Sequence, residues 1–441
     1  MSELYKKYCE CSCRITTDSR AVSEGVMFLA LKGENFDGNS FAMQALDAGA
    51  AYAVVSGDIF PDPEDSRLIP VPDTFAALQE LAIEHRTTLK SGSLPVIGLT
   101  GTNGKTTTKE LINAVLSKRY RVSSTKGNLN NDIGVPLTLL SIPQDAEIAV
   151  VEMGANHPDD IAKLVQVCMP DYGLITNVGR AHLLGFGSFE GVKAAKGELY
   201  KWLGSREGSL IFLNEDDPDL REMASHYPCH VFGYGVRSQG VEILPISVDE
   251  PYLRIRLGED VINTQLVGSY NATNVLCAMA VGQYFGVDKN DAIAAIEAYC
   301  PTNKRSQLVK LGTNTLIVDA YNANPSSMMS AIDNFCAISA PKKIAMLGDM
   351  RELGADSVRE HVKIIWKLMT ESVDAYLVGE EFRLAMEQLG LQCGEGSIKA
   401  WFADSNALSD FVRDNKPSDS IVLIKGSRGI MMEKALDVLI D

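Results

Sequence analysis

One segment constrains the fold more than any other. Residues 97–107 read Ile-Gly-Leu-Thr-Gly-Thr-Asn-Gly-Lys-Thr-Thr, an apolar run, then a glycine loop, then the start of a helical pattern over residues 107–118. The run predicts a buried strand from residue 95 to 100, so the chain must contain a strand, a tight turn and a helix in sequence. Gly101 and Gly104 allow backbone N–H groups to wrap an anion. Thr102 and Asn103 fill the loop between them, Lys105 adds a cation for outer phosphates, and Thr106, followed by Thr107, offers a hydroxyl oxygen to Mg²⁺. The position five before Gly104 is Leu99, so this is a short Gly-x-x-Gly-Lys-Thr form of the phosphate loop.

The chain has 441 residues, which fits two to four domains of roughly 100 to 200 residues each. Its 41 basic and 57 acidic residues leave a formal charge of −16, which argues against nucleic acid or an anionic membrane as the main partner. No stretch approaches the roughly 18 apolar residues of a membrane span, so membrane insertion is not expected and the cytoplasm is the default location. Nine scattered cysteines suit reduced thiols. Cys9, Cys11 and Cys13 alternate as on one face of a strand, and with no fourth ligand nearby they are expected to be small half-buried strand residues.

Three segments are expected. Residues 1–90 carry short strands, among them 14–17 and 51–56, with a helix over 41–48; residues 87–93 read as a polar linker. Residues 91–306 alternate apolar runs (148–153, 173–176, 209–214) with helical patterns, predicting a mainly parallel sheet covered by helices. Within them, 253–257 and 261–267 suggest an antiparallel hairpin. Residues 307–441 restart the alternation, with strands at 315–318, 343–347, 375–378 and 420–424, as a further Rossmann-like domain. The fold class expected is α/β in three domains.

Glu152 ends the apolar run 148–151, where open α/β sheets present residues to ligands, and next to a phosphate loop it is a Mg²⁺ ligand candidate. His182 follows a second strand. Lys196, on a predicted helix, reads from its residue type alone as surface charge.

Together, residues 101–107, Glu152-Met153-Gly154, Thr176-Asn177-Val178-Gly179-Arg180-Ala181-His182 and Ala195-Lys196-Gly197-Glu198 resemble the Mur ligases of peptidoglycan synthesis. The segments 125–134, Asp319-Ala320-Tyr321-Asn322-Ala323-Asn324-Pro325, Gly348-Asp349-Met350-Arg351-Glu352-Leu353-Gly354 and Lys425-Gly426-Ser427-Arg428-Gly429 look like the member that joins D-alanyl-D-alanine to a UDP-N-acetylmuramoyl-tripeptide. The resemblance runs from Thr17-Asp18-Ser19-Arg20 to the final helix.

The resemblance implies three domains, one for the UDP-linked substrate, one for ATP and one that closes over the site. It implies two Mg²⁺ ions, one held by Thr106 and Glu152, the other served by His182 and by Lys196 carrying a CO₂-derived carbamate. It assigns catalysis to Lys105, Glu152, His182 and Lys196. Asn271 and Asn274 look like adenine-facing positions, although Tyr270 stands where the family commonly has histidine. Arg305, Asp319, Tyr321 and Asn322 look like groups that reach the nucleotide on closure. Ser19, Arg20, Lys32 and Gly33 resemble the UDP site, while Asn128, Asn130 and Asn131 would orient the peptidyl tail. Lys425, Ser427 and Arg428 would hold a substrate carboxylate. A monomer is expected.

Two rivals are weighed against this. A folate-polyglutamate-type ligase shares the ATPase core but normally lacks a segment like residues 1–90. A GTPase-like switch would need Asn-Lys-x-Asp, which the sequence does not contain.

Overall fold

Apolar runs five residues long, bounded by loops, become fully buried strands. Val96–Thr100, Ile148–Glu152 and Leu210–Asn214 are buried along their whole length in a computed structural model that describes residues 1–33, 36–60, 64–247, 250–301 and 307–440. They belong to a six-stranded sheet in the order His230–Tyr234, Leu210–Asn214, Tyr172–Ile175, Val96–Thr100, Ile148–Glu152, Val122–Ser124. Every pairing in it is parallel. The chain leaves Val96–Thr100 toward one edge and later returns to its other side at Tyr172–Ile175. The loops after these strands therefore part at a topological switch point, where such sheets bind ligands.

The first segment forms a four-stranded parallel sheet, Ile15–Thr16, Met27–Leu29, Tyr52–Ser56, Leu68–Val71. The last forms a six-stranded sheet, Gln307–Leu311, Asn314–Asp319, Ile421–Lys425, Lys343–Gly348, Asp374–Val378, Ile398–Phe402, parallel except for its first pairing. The expected hairpin is present as Tyr252–Leu257 and Asp260–Val267, with Glu242–Ile243 added at one edge. The chain is α/β throughout, as the alternation predicts.

Two local expectations are corrected. Cys9 lies in the last turn of a helix, Glu3–Glu10, Cys11 caps its end and Cys13 follows in the turn, so they share no strand face. Ser2 caps that helix by accepting the Tyr5 N–H at 3.1 Å, and Tyr5 and Tyr8 set its buried side. Residues 87–93 are not a free linker, because the helix Thr74–Thr88 takes in the first two of them, Leu89 after it is extended and buried, and Lys90 and Ser91 turn the chain in the left-handed region. Lys196, which residue type alone would put on the surface and the resemblance puts at the site, is buried. It lies on Phe189–Gly204, in a stripe with Val192, Ala195, Leu199 and Leu203, and is 2 % exposed.

One apolar core runs from the first segment into the central sheet. It joins Tyr5, Tyr8, Leu29, Val54 and Leu78 to Leu139, Val151, Ile175 and Leu199.

Candidate active site

The loop after Val96–Thr100 owes its shape to glycine. Gly101 has φ 146°, and a Cβ there would lie 1.9 Å from Thr176 Oγ1; Gly104 has φ 80° and caps the helix Lys105–Leu116. Two glycines thus let the backbone turn where any side chain would collide or strain. The neighbouring strand end holds the loop in place. Thr102 N–H donates to the Asn177 C=O at 3.0 Å, Asn103 N–H to Asn177 Oδ1 at 3.0 Å, and Thr176 Oγ1 to the Asn103 C=O at 2.6 Å. Lys105 Nζ donates back to the Gly101 and Thr102 carbonyls at 2.8 and 3.2 Å.

Glu152 stands beside the loop because its strand pairs in register with Val96–Thr100, Leu99 facing Glu152. It is 1 % exposed. Thr106 Oγ1 donates to its Oε1 at 3.4 Å and Asn130 Nδ2 at 2.8 Å, yet the buried Oε2 has no hydrogen-bond partner among the described residues. A buried carboxylate oxygen without a donor is costly, and a cation beside a phosphate would satisfy it. Among the described residues no cluster of three His, Cys, Asp or Glu side chains forms; Mg²⁺ usually takes one or two carboxylates plus water and phosphate oxygens, so this donor set fits it.

Behind the loop lies Lys196. Burial, with the Lys105 charge second, pulls its pKa down to about 7, and its ammonium sits 5.8 Å from the centre of the Phe186 ring. His182 opens the short helix Leu183–Phe186 with φ 51°. Its Nδ1 contacts a Glu352 carboxylate oxygen from the last segment. Burial lowers the His182 pKa, the Glu352 charge opposes that, and Lys105 and Lys196 add to the lowering.

The last segment faces the loop across a cleft of about 810 Å³. Residues Thr102 to Thr107, Glu152 and His182 line one wall, with Asn128, Asn130 and Asn131. Asp319, Tyr321, Asn322 and Lys425 line the other, and Asn271 and Asn274 also belong to the lining. Lys425 is ion-paired with Asp319 across adjacent strands and donates to the Asn322 C=O at 3.2 Å, so its charge is already engaged by the protein. Asn274 accepts from Thr108 Oγ1 at 3.1 Å and donates to Asn271 Oδ1 at 2.9 Å, which ties Asn271–Tyr284 to the loop helix.

Other expected residues lie outside this lining. Gly101 and Lys196 are among them. Ser427 is buried, donating to the Ala323 C=O at 3.1 Å, and the Arg428 guanidinium sits over the Tyr321 ring at 5.7 Å. Ser19 and Arg20 form a 3₁₀ turn on the first sheet's side, where exposed Arg20 pairs bidentately with Asp18. Lys32 and Gly33 pair with Phe36 and Asp37 in a two-residue ladder. Arg305 lies outside the described residues.

Reading the sequence residue by residue missed two groups at the cleft and one beside it, against His182. Asn324 exchanges amide hydrogen bonds with Asn103, the shorter at 2.7 Å, and caps Pro325–Ala337 through a box with Ser327. The Asn-Pro-Ser-Ser run carries that capping signal. Asn156, His157 and Asp160 extend the wall beyond Glu152, where Asp160 Oδ2 accepts the Asn156 and His157 N–H groups at 2.9 Å each. Glu352 had no local signal, since its partner is 170 residues away.

Comparison with known proteins matches three family models in chain order: "Mur ligase family, catalytic domain" over residues 14–86, "Mur ligase middle domain" over 99–282, and "Mur ligase, glutamate ligase domain" over 304–428. The chain belongs to the Mur ligase family. This Mur ligase is 35 % identical over 439 residues to the UDP-N-acetylmuramoyl-tripeptide–D-alanyl-D-alanine ligase of Bacillus subtilis, covering 97 % of this chain and 93 % of that one. It is 33 % identical over 436 residues to the Escherichia coli enzyme of the same name, covering 96 % and 93 %. Among solved structures, MurF from Acinetobacter baumannii superposes with a TM-score of 0.82 at 30 % identity, covering 97 % and 93 %. MurF ligase from Thermotoga maritima in complex with ADP superposes with a TM-score of 0.82 at 27 % identity, covering 100 % and 98 %. A folylpolyglutamate synthase from Mycobacterium tuberculosis shares the fold alone, at 15 % identity and a TM-score of 0.58 over 81 % of this chain.

Proposed function

We propose that this Mur ligase joins D-alanyl-D-alanine to the terminal carboxylate of a UDP-N-acetylmuramoyl-tripeptide at the expense of ATP, forming the UDP-muramoyl-pentapeptide used for peptidoglycan. The observation that carries the reading is the phosphate loop set beside a buried carboxylate with one unpartnered oxygen, both facing a second α/β unit across one cleft. Relatives over nearly the whole chain bear that activity in their names.

A carboxylate is a poor electrophile, so amide formation in water needs activation. The tripeptide carboxylate oxygen attacks the γ-phosphorus of ATP, the bond to the β-phosphate oxygen breaks, and ADP leaves an acyl phosphate. The free amine of D-alanyl-D-alanine, its proton lost to solvent, then attacks the acyl carbon and inorganic phosphate departs. No protein nucleophile takes part. The loop N–H groups and Lys105 align the phosphates and offset their charge. Asn128, Asn130 and Asn131 orient the peptidyl tail, Ser19, Arg20, Lys32 and Gly33 hold the UDP end, and Lys425, Ser427 and Arg428 border the dipeptide end. Asn271, Asn274, Arg305, Asp319, Tyr321 and Asn322 serve the nucleotide.

Thr106 and Glu152 would hold one Mg²⁺, and His182 with Lys196 would serve a second; bound there, the ions neutralise developing charge on the phosphoryl oxygens. Lys196 suits carbamate formation, because an amine with pKa about 7 is substantially neutral near neutral pH and able to attack CO₂. That step forms an N–C bond as one C=O π bond of CO₂ opens, releases one proton, and turns the neutral amine into an anion near Lys105. The reading takes residues 1–90, 91–306 and 307–441 as the three domains, in a monomer of the cytoplasm.

The deciding assay measures phosphate release from ATP and Mg²⁺ with the UDP-muramoyl-tripeptide and D-alanyl-D-alanine. Release that requires both substrates, with pentapeptide formed, is expected; none from folded protein refutes the reading. Lys196→Ala should lower turnover by about 10²-fold and recover partly with short carboxylic acids, whereas full activity without them would reject the carbamate.

A further inference from the structure

The turn after Lys343–Gly348 is fixed on three sides. Met350 N–H donates to His361 Nε2 at 2.9 Å, and His361 Nδ1 contacts the Ser357 C=O at 2.8 Å, so this fully buried imidazole is neutral with its proton on Nδ1. The Asp349 carboxylate accepts the Glu381 and Phe382 N–H groups at 3.0 Å each, where a helix begins. Ser427 N–H donates to the Asp349 C=O at 3.1 Å, and Arg351 N–H to Ser427 Oγ at 2.9 Å. A turn held this firmly has one direction to present its tip.

That tip is Glu352, with φ 65°. Its carboxylate meets His182 Nδ1, and its C=O accepts the Leu184 N–H at 3.2 Å. Two contacts, one from a side chain and one from the backbone, thus join the last segment to the segment that carries His182. A carboxylate only accepts hydrogen bonds, so the proton of a neutral His182 must lie on Nδ1, which leaves the Nε2 lone pair free.

We infer that Glu352 is a positioning residue for this reaction: when the last segment closes on the central one, it fixes the tautomer and ring direction of His182 and so readies Nε2 for the cleft. The inference rests on the ligase reading given above. It gives closure a chemical consequence, because the histidine is held in its working tautomer only once Glu352 has arrived from the other side. In an open chain His182 has no such acceptor from Glu352, and an imidazole free to flip would serve the site for only part of the time. Outer partners that orient a functional histidine in this way commonly change affinity or activity about 10- to 100-fold when removed.

The test compares wild type, Glu352→Ala and Glu352→Gln. Glu352 is more than half exposed, so neither change removes core packing. Glu352→Ala should lower kcat about 10- to 100-fold with KM for ATP changed less than about twofold. Glu352→Gln keeps an acceptor oxygen and should fall between the two. Independently of turnover, ¹⁵N spectra of the histidine-labelled chain with ADP and the UDP-linked tripeptide but without metal should show His182 protonated at Nδ1 in wild type and shifted toward Nε2–H in Glu352→Ala. Identical spectra in the two chains, or equal kcat, would overturn the inference. Inactivity of wild type with both substrates would instead remove the ligase reading, and the spectra would still decide the role of Glu352.

Discussion

The two seams of this molecule are built from different materials. Between the first segment and the central sheet, Tyr5 and Tyr8 of Glu3–Glu10 pack with Leu78 and Leu81 against Leu139 and Leu140 in one continuous core. Tyr8 Oη donates to the Leu140 C=O at 2.5 Å, and buried His85 bridges Tyr5 Oη and the Ile142 C=O at 3.0 Å each. Between the central sheet and the last segment, Val267 supplies apolar packing on the far side, but over the cleft the contacts are polar: Asn103 with Asn324, His182 with Glu352, and Arg180 N–H to Ser326 Oγ at 3.3 Å. Separating the first seam would expose apolar surface at about 25 cal/mol per Å². Opening the second exchanges protein hydrogen bonds for bonds to water, at a net of about 1 kcal/mol each. The first seam is therefore the one that stability depends on, and the second is the one that would open first.

The strongest way to break this contrast is Tyr8→Ala. Loss of a fully buried ring should cost about 3–5 kcal/mol in urea unfolding, with phosphate release per folded molecule nearly unchanged. A variant as stable as wild type would show that the first seam is not a shared core.

His85 sharpens the contrast through pH. Burial holds its pKa below the ordinary histidine range, so the unfolded chain takes up the proton first, and stability present above about pH 6.5 falls as the pH drops through that value. His182 and His361 are lowered in the same sense and add to the slope. His85→Gln should remove one proton's share, at most about 1.4 kcal/mol per pH unit. An unchanged slope between pH 7 and 5 would place His85 outside the effect.

The smallest change in stability is expected at the second seam. Asn324→Ser keeps a capping oxygen for Pro325–Ala337 but is too short to reach Asn103. Unfolding should move by less than about 0.5 kcal/mol, while kcat falls about tenfold. A large loss of stability with normal kcat would mean that this seam is structural after all.

Much of this was legible in the sequence, for physical reasons. The phosphate loop declares itself because glycine, lysine and threonine must occupy adjacent positions, and Glu152 because the strand before it is a pure apolar run. Lys196 hid in plain view. Its residue type argues for a surface, yet Val192, Ala195, Leu199 and Leu203 at helical spacing place it on the buried stripe. The N-terminal helix was obscured by alternate cysteines, which suggested a strand although Ser2, Tyr5 and Tyr8 carry a cap and helical spacing. The strands Val122–Ser124, His230–Tyr234, Gln307–Leu311 and Ile398–Phe402 were not anticipated. All four lie at sheet edges and carry mixed polarity, so no apolar run marks them. Contacts between segments, Asn103 with Asn324 and His182 with Glu352, depend on closure, which no local pattern encodes.

The most direct measurement is a pair of distances in one chain, from labels at exposed Met43, Glu207 and Trp366, in the first, central and last segments. On adding ADP and the UDP-linked tripeptide, the distance from Glu207 to Trp366 should shorten and narrow in distribution, while that from Met43 to Glu207 stays fixed. Movement of the first distance with the last segment held still would contradict the division between a fixed seam and a working one.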